Sequence, residues 1–431
     1  MSALPRRLRE LVPGGCHTYS KGHDRLPANA PLVIGGHGGQ LLGADGRLYV
    51  DWAMGINNVL IGHAESSIDG AAWAAMAHGQ ALSGATRREL EAAEAVLSLF
   101  PAMDMVKFAK NGTDANDAAI KLARAVTGRQ TIAYDGSAPF FSSDDWWVSG
   151  SLHRAGTLQA HREFARTFRY NDIESVEQLF GNSIDEWGIR EKPACLLMEV
   201  CRAERPQPGF LERIRELCNE HGTLLIFDEV VTGFRYHLHG AQALYGVTPD
   251  LMTLGKGLAN GHAVSALLGK RKYMELGDLS RFGTDGVFLL STTNGAEQSG
   301  LAAAIATIGF YERHDVIGRL TQVGTELVET VRKAAEVHGI GEYVTVTTDF
   351  PNRPMLRYRN ADGEDDAQYR ELFQQEMFCY GVWWAQWVCP CYRRTDEDMR
   401  TTLNALDHAC AIYAAAIRDG SATPRLRRRP G

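Results

Sequence analysis

Between residues 52 and 310 the chain sets short apolar runs, at 105–108, 131–134, 195–198, 224–227, 251–254 and 264–268, between stretches with helical spacing. Nothing else in the sequence restricts the fold so strongly. Continuous apolar runs of this length suit strands buried on both faces, and parallel strands need helix-length connections between them. The pattern predicts an α/β fold with a mainly parallel sheet covered by helices on both faces, in a large domain over 52–310. Residues 1–51 are read as an N-terminal segment, in which 35–51, with an Asp45-Gly46 turn signal, forms a small hairpin unit. Beyond 310, helical patterns at 318–338 and 396–417 bracket a strand-like region at 343–358, which predicts a smaller α+β C-terminal domain over 311–420. Residues 421–431 are basic and contain proline, and are expected to be a disordered tail.

The run ending at Phe227 leads directly into Asp228, Glu229 and Val230. Two carboxylates then stand at the C-terminal end of a buried strand, where open α/β sheets bind their ligands, although one could equally cap the next helix. Lys256 follows Asp228 by 28 residues and ends another apolar run, between Gly255 and Gly257. An amine nucleophile needs a desolvated setting that lowers its pKa, and flanking glycines let a bulky ring approach the backbone. A lone lysine there is usually a solvated loop charge. With a strand-end aspartate, it becomes a site for pyridoxal 5′-phosphate (PLP): Lys256 forms the imine, and Asp228 holds a proton on the pyridine nitrogen so that the ring draws electrons. Residues 111–115, Asn-Gly-Thr-Asp-Ala, open a helix whose apolar positions run from Ala115 to Val126 and which Gly128 ends. Gly112, Thr113 and the free N–H groups of that helix start suit a phosphate, though Thr113 could simply be an N-cap.

The order and spacing of Gly112-Thr113, Asp228-Glu229-Val230 and Lys256 resemble the class III, fold-type I PLP aminotransferases, and within them the glutamate-1-semialdehyde aminomutase branch. Further matching stretches are Pro13-Gly14-Gly15, Asp45-Gly46-Arg47, Gly62-His63-Ala64, 118–128, 226–235 and 246–261, so the resemblance runs from about residue 8 to about 418. It implies a large domain with a seven-stranded, mainly parallel sheet. It also implies roles: Lys256 as Schiff-base lysine, Asp228 as partner of the pyridine nitrogen, Val230 as an apolar surface against the ring, and Asn111, Gly112 and Thr113 around the phosphate. Glu199 corresponds to a glutamate near the cofactor's hydrogen-bond network. Thr293, with Thr292 as the alternative, stands where the family has a threonine that reaches the phosphate of the neighbouring subunit, which implies a homodimer with shared active sites. The chain departs from the family at Asn111 and Asp114, and more so at 136–141, where a ring-stacking tyrosine is replaced and Phe140 or Ser137 is left to take over part of that contact.

The implied activity is transfer of an amino group from an amino acid donor, L-glutamate, to an aldehyde or ketone acceptor, by a ping-pong route through pyridoxamine phosphate. Two aromatic groups, Phe140-Phe141 with Trp146-Trp147 and Trp383-Trp384 with Trp387, suit either core packing or the faces of a sugar ring; the second reading, with the family's amino-sugar members, points to a sugar or aminoglycoside acceptor. Arg393 or Arg394 is a candidate for the donor carboxylate. An aminomutase or an amine epimerase is the alternative reaction on the same cofactor. A nucleotide-binding protein is disfavoured, because neither a Gly-x-Gly-x-x-Gly turn nor a Gly-Lys-Ser/Thr loop stands in the right context. A net charge of −7 from 45 basic and 52 acidic side chains, spread along the chain, argues against nucleic acid or membrane partners and for small molecules. The N-terminus lacks a signal-like apolar run, and eight scattered cysteines fit a reducing cytoplasm; Cys389-Pro-Cys391 lacks the second ligand pair a metal would need.

Overall fold

The computed structural model describes residues 3–22, 25–137, 143–181, 188, 191–347, 349–384 and 388–427. The chain divides into two compact units, residues 1–66 with 315–431 and residues 67–314. The first three strands, β1 (Val33–His37), β2 (Gln40–Gly43) and β3 (Leu48–Asp51), pair antiparallel as the hairpin unit expected at 35–51, with Gly46 at φ 78° in the turn before β3. They belong to the same unit as the C-terminal residues, so the N-terminal segment does not stand as a separate body.

The 67–314 unit is built on a seven-stranded sheet of β4 (Met105–Ala109), β5 (Ile132–Asp135), β6 (Ala165–Phe168), β7 (Cys195–Met198), β8 (Leu224–Glu229), β9 (Leu251–Leu254) and β10 (Ser265–Gly269). Their order across the sheet is β4-β10-β9-β8-β7-β5-β6. The five strands β9, β8, β7, β5 and β6 run parallel, and β10 lies antiparallel between β9 and β4. Every residue of β7, β8, β9 and β10 is buried, which is why these strands read as unbroken apolar runs. One face is covered by α1 (Gly112–Thr127), whose Ala115, Ala118, Ala119 and Leu122 share a core with Ile132, Leu197, Ile226 and Leu251. Small alanines let this helix lie close to the sheet, and each aliphatic side chain shut in beneath it contributes about 1.5–3 kcal/mol. At the start of α1 the Asp114 carboxylate accepts the backbone N–H of Asn111 (2.9 Å) and of Lys110 (3.2 Å); Gly128, at φ 68°, ends the helix. The helix expected at 211–221 is α2 (Phe210–His221), and α3 (Gln298–Arg313) closes the unit, capped by Glu297, which accepts from the Ser299 and Gly300 N–H groups.

The other unit continues with α4 (Val316–Val337), the antiparallel pair β11 (Val344–Val346) and β12 (Leu356–Tyr358), α5 (Ala367–Cys379), β13 (Val382–Trp383) and α6 (Asp396–Arg418). β13 adds parallel to β3, making a four-stranded sheet in the order β1-β2-β3-β13. The tail from 421 is ordered as far as Arg427, contrary to expectation: Ala422 is 1 % exposed, and the Arg427 N–H and the Arg425 carbonyl both bond to the Gln375 amide. Residues 428–431 lie outside the described residues. No helix among the described residues is long and apolar enough to cross a membrane.

Candidate active site

All predicted cofactor-site residues that the structure describes lie in the 67–314 unit, and most gather at the C-terminal ends of adjacent parallel strands; the two candidate arginines, Arg393 and Arg394, lie in the other unit. Asp228 is near the end of β8, Glu199 follows β7, Asp135 ends β5, and Lys256 comes two residues after β9. Asp228 stands opposite Thr253 in the register of β8 and β9. One of its carboxylate oxygens accepts the Val230 N–H and the other the Asn116 amide, each at 2.9 Å. Asn116 is itself fixed by the Thr253 hydroxyl, which donates to its carbonyl oxygen at 2.8 Å. Burial pushes the Asp228 carboxyl above its usual range and the charge of Glu199 adds to this, against the opposing pull of the Val230 N–H, Asn116 and Lys256. The site thus holds a carboxylate short of positive charge.

Glu229, the second carboxylate of the pair, serves structure. It is fully buried and accepts from the Thr232 hydroxyl and from the N–H groups of Ala241 (3.0 Å) and Gln242 (2.9 Å), so it caps the short helical turn Ala241–Leu244.

Lys256 is half-buried and takes φ 42°, a left-handed conformation that side chains adopt at a cost of about 1–3 kcal/mol and that surrounding structure must impose. Its charge is felt at Asp228. Val230 lies between the start of α1 and the lysine turn: a Cβ on Gly112 would lie 2.9 Å from both Val230 methyls, and one on Gly255 would lie 3.2 Å from a Val230 methyl. Only glycine leaves that approach open at position 112. Thr113 is buried in the first turn of α1, Gly112 is half-buried, and Asn111 is exposed, its carbonyl held by the Ser265 hydroxyl at 2.6 Å. Next to Asn111, Lys110 forms a 2.5 Å ion pair with Glu297, the residue that caps α3.

Glu199 sits 3.9 Å from the Arg202 guanidinium, which also reaches Asp135 at 2.6 Å and the Ser137 hydroxyl at 3.0 Å. Ser137 is thereby drawn into a polar network with Asp135. Phe140 lies outside the described residues. Thr292 and Thr293 are exposed on the segment leading to Glu297. Sequence reasoning missed Asn116, Thr253 and Arg202. A signal existed for Asn116: it is a polar residue among the buried alanines of α1, and a buried amide needs partners.

The aromatic groups correct the expectation of a ring-binding entrance. Trp146 and Trp147 stack at 4.6 Å within the core beneath α1, with the Trp146 indole N–H on Asp117 at 2.9 Å. Trp383 and Trp384 are buried in the cores of the other unit, while Phe140, Phe141 and Trp387 lie outside the described residues. Arg394 is likewise structural: its guanidinium is 0 % exposed, donates to the carbonyls of Gly39 and Asp51, and lies 4.2 Å over the Trp52 ring. Arg393, half-exposed, pairs with Glu65 at 2.9 Å.

The residues present fit PLP: a buried carboxylate of raised proton affinity suits a protonated ring nitrogen, Val230 packs closely against Gly112 and Gly255, and a 16-residue helix begins beside them. The family model for class III aminotransferases matches residues 23–141 and 166–346. The chain is 32% identical over 417 residues to the 3-aminobutyryl-CoA aminotransferase of Cloacimonas acidaminovorans (strain Evry), covering 95% of this chain and 96% of that one. It is 31% identical over 431 residues to the glutamate-1-semialdehyde 2,1-aminomutase of Nitratidesulfovibrio vulgaris (strain DP4), covering 94% and 97%. Among solved structures, the PLP internal aldimine form of the FumI protein of Sphingopyxis sp. MTA144 superposes with a TM-score of 0.84 at 26% identity, covering 99% of each chain.

Proposed function

The chain belongs to the class III aminotransferases, a PLP-dependent family, and from that premise we propose that it moves an amino group from an amino acid, with L-glutamate as donor, to the carbonyl of a small-molecule aldehyde or ketone. The observation that carries this reading is the side-by-side placement of Asp228 and Lys256 at the ends of β8 and β9, beside the start of α1. PLP, when bound, supplies an aldehyde that takes up the amino group and a pyridine ring that draws electrons from the carbon bearing it. Lys256 would hold the cofactor and, as a free amine, would be the base that moves the proton of the carbon bearing the amino group. Asp228, raised in proton affinity by burial and by Glu199, is fixed by Val230 N–H and Asn116 to keep a proton on the ring nitrogen; the ring's positive charge in turn relieves the cost of burying the carboxylate. Val230 keeps water from one face of the ring. Gly112, Thr113 and Asn111 face the phosphate, and Glu199 joins the network through Arg202. The exposed Thr293 serves the phosphate of a second subunit, which makes the active form a homodimer. Eight free cysteines, six of them buried, suit the reducing cytoplasm.

Among the described residues the aromatic groups do not support a sugar acceptor, since their tryptophans are buried among core side chains. Similarity to an aminotransferase named for 3-aminobutyryl-CoA makes a 3-oxoacyl thioester, the carbonyl counterpart of that amine, the first acceptor class to test. Similarity to aminomutases keeps an internal amino shift as the second reading. PLP-loaded protein given L-glutamate alone should release 2-oxoglutarate in an amount equal to the active sites and then stop until an acceptor is added. Absence of any keto acid with L-glutamate or other amino acid donors contradicts transamination and favours the mutase.

A further inference from the structure

We infer that Tyr311 is a positioning residue that sets the geometry of the Lys256 turn, a role that rests on Lys256 being the cofactor lysine. Tyr311 lies in the last turns of α3, is 5 % exposed, and donates its hydroxyl to the Gly257 carbonyl at 2.6 Å. That carbonyl belongs to the residue after Lys256, in a turn where Lys256 at φ 42° and Asn260 at φ 44° are both left-handed. The turn's own bonds are Leu258 N–H to the Gly255 carbonyl (2.9 Å) and Ala259 N–H to the Lys256 carbonyl (3.3 Å). A strained turn persists only where its surroundings over-determine it, and a buried carbonyl that loses its donor has a strong reason to rotate. Rotation of that peptide would turn the Leu258 N–H away from the Gly255 carbonyl and so open the hydrogen-bonded turn that holds Lys256 in its left-handed conformation.

The same ring also touches the loop that follows Asp228 and Glu229. Phe234, five residues beyond Glu229 and itself left-handed at φ 61°, stacks on Tyr311 at 5.4 Å with planes 16° apart, and Phe100 packs edge-on behind it at 6.1 Å. Tyr311 is therefore clamped between the loop after β8 and the loop after β9. At its other end α3 is tied by Glu297 to Lys110, next to the phosphate seat. One helix thus holds the seat at one end and the lysine turn at the other.

The test is the rate at which added PLP becomes covalently attached to Lys256, followed by quenching the full chain with borohydride at intervals and measuring the modified peptide by mass spectrometry. Tyr311→Phe keeps the ring and its stacking, so it should melt within a few degrees of the unaltered protein while attachment slows by roughly tenfold or more. In the same variant the Leu258 and Ala259 amides should exchange with solvent faster than in the unaltered protein. Thr307→Val is the control: it removes another fully buried hydroxyl one turn earlier in α3, whose oxygen has no hydrogen-bond partner among the described residues, and should leave attachment unchanged. Attachment at the unaltered rate in Tyr311→Phe overturns the inference, as does equal slowing in Thr307→Val. Failure of the unaltered protein to label at Lys256 is a different result, which refutes the reading of the lysine and this inference with it.

Discussion

Asp228 and Glu229 are neighbours in one strand, both buried, both pushed above the ordinary carboxyl range by burial, and yet they differ in what they face. Glu229 faces three donors of its own chain, whereas Asp228 faces two and the ligand side of the sheet. Because the folded pKa of Asp228 lies above its usual 3.8, the stability it contributes is full below that pH and is lost as pH rises through the folded value. Above that folded value the cofactor-free protein therefore bears the cost of a buried charge. Asp228→Asn should melt at the same or a higher temperature without PLP, while binding PLP more weakly and losing at least about a hundredfold in turnover; calorimetry with and without PLP checks both, and unchanged PLP affinity would refute the role given to Asp228. Glu229→Gln should do the reverse, costing about 1–3 kcal/mol because an amide would face backbone N–H groups, with the cofactor's visible absorbance retained.

At the scale of elements, the site depends on a chain of hydrogen bonds that crosses from β9 through α1 to β8: Thr253 to Asn116 to Asp228. Asn116→Ala should leave α1 folded, since alanine suits a helix, but free one oxygen of Asp228 and weaken PLP binding several-fold, as measured by spectroscopic titration. Equal affinity in that variant would show that the chain has no part in holding Asp228. The strands that carry the site were legible because a parallel sheet buried on both faces writes itself as unbroken apolar runs, and the long C-terminal helices and the hairpin before β3 were legible from periodicity and an Asp-Gly turn. Lys256 and Asp228 were legible because each ends such a run. The roles of Asn116, Arg202 and Tyr311 were not, since each acts through a partner more than fifty residues away, and local spacing carries no record of that. Tryptophan pairs misled for a related reason: a buried and a ligand-facing aromatic have the same local pattern, and only packing against α1 or the other unit's core separates them.

For the whole molecule, one strongly perturbed described carboxyl is outside the site. Burial, then a hydrogen bond and charge from Asp117, push Asp144 up to about 9 from 3.8. By the same sign rule its stabilising proton is present below pH 3.8 and lost on the way to about 9, so resistance to urea should fall across that range, and Asp144→Asn should flatten the fall. An unchanged pH slope in the variant would contradict the buried pair. The two compact units, with the cofactor residues confined to 67–314, also place all of the proposed chemistry of one subunit on a single sheet. The central claim is that this sheet presents Lys256 to PLP for amino transfer. An absorbance spectrum from 300 to 500 nm of the PLP-loaded protein and of Lys256→Ala, before and after L-glutamate, tests it most directly. The account predicts a yellow band in the unaltered protein that bleaches with L-glutamate as 2-oxoglutarate appears, and no lysine-dependent band or turnover in the variant; a Lys256→Ala protein that stays yellow and active would contradict it.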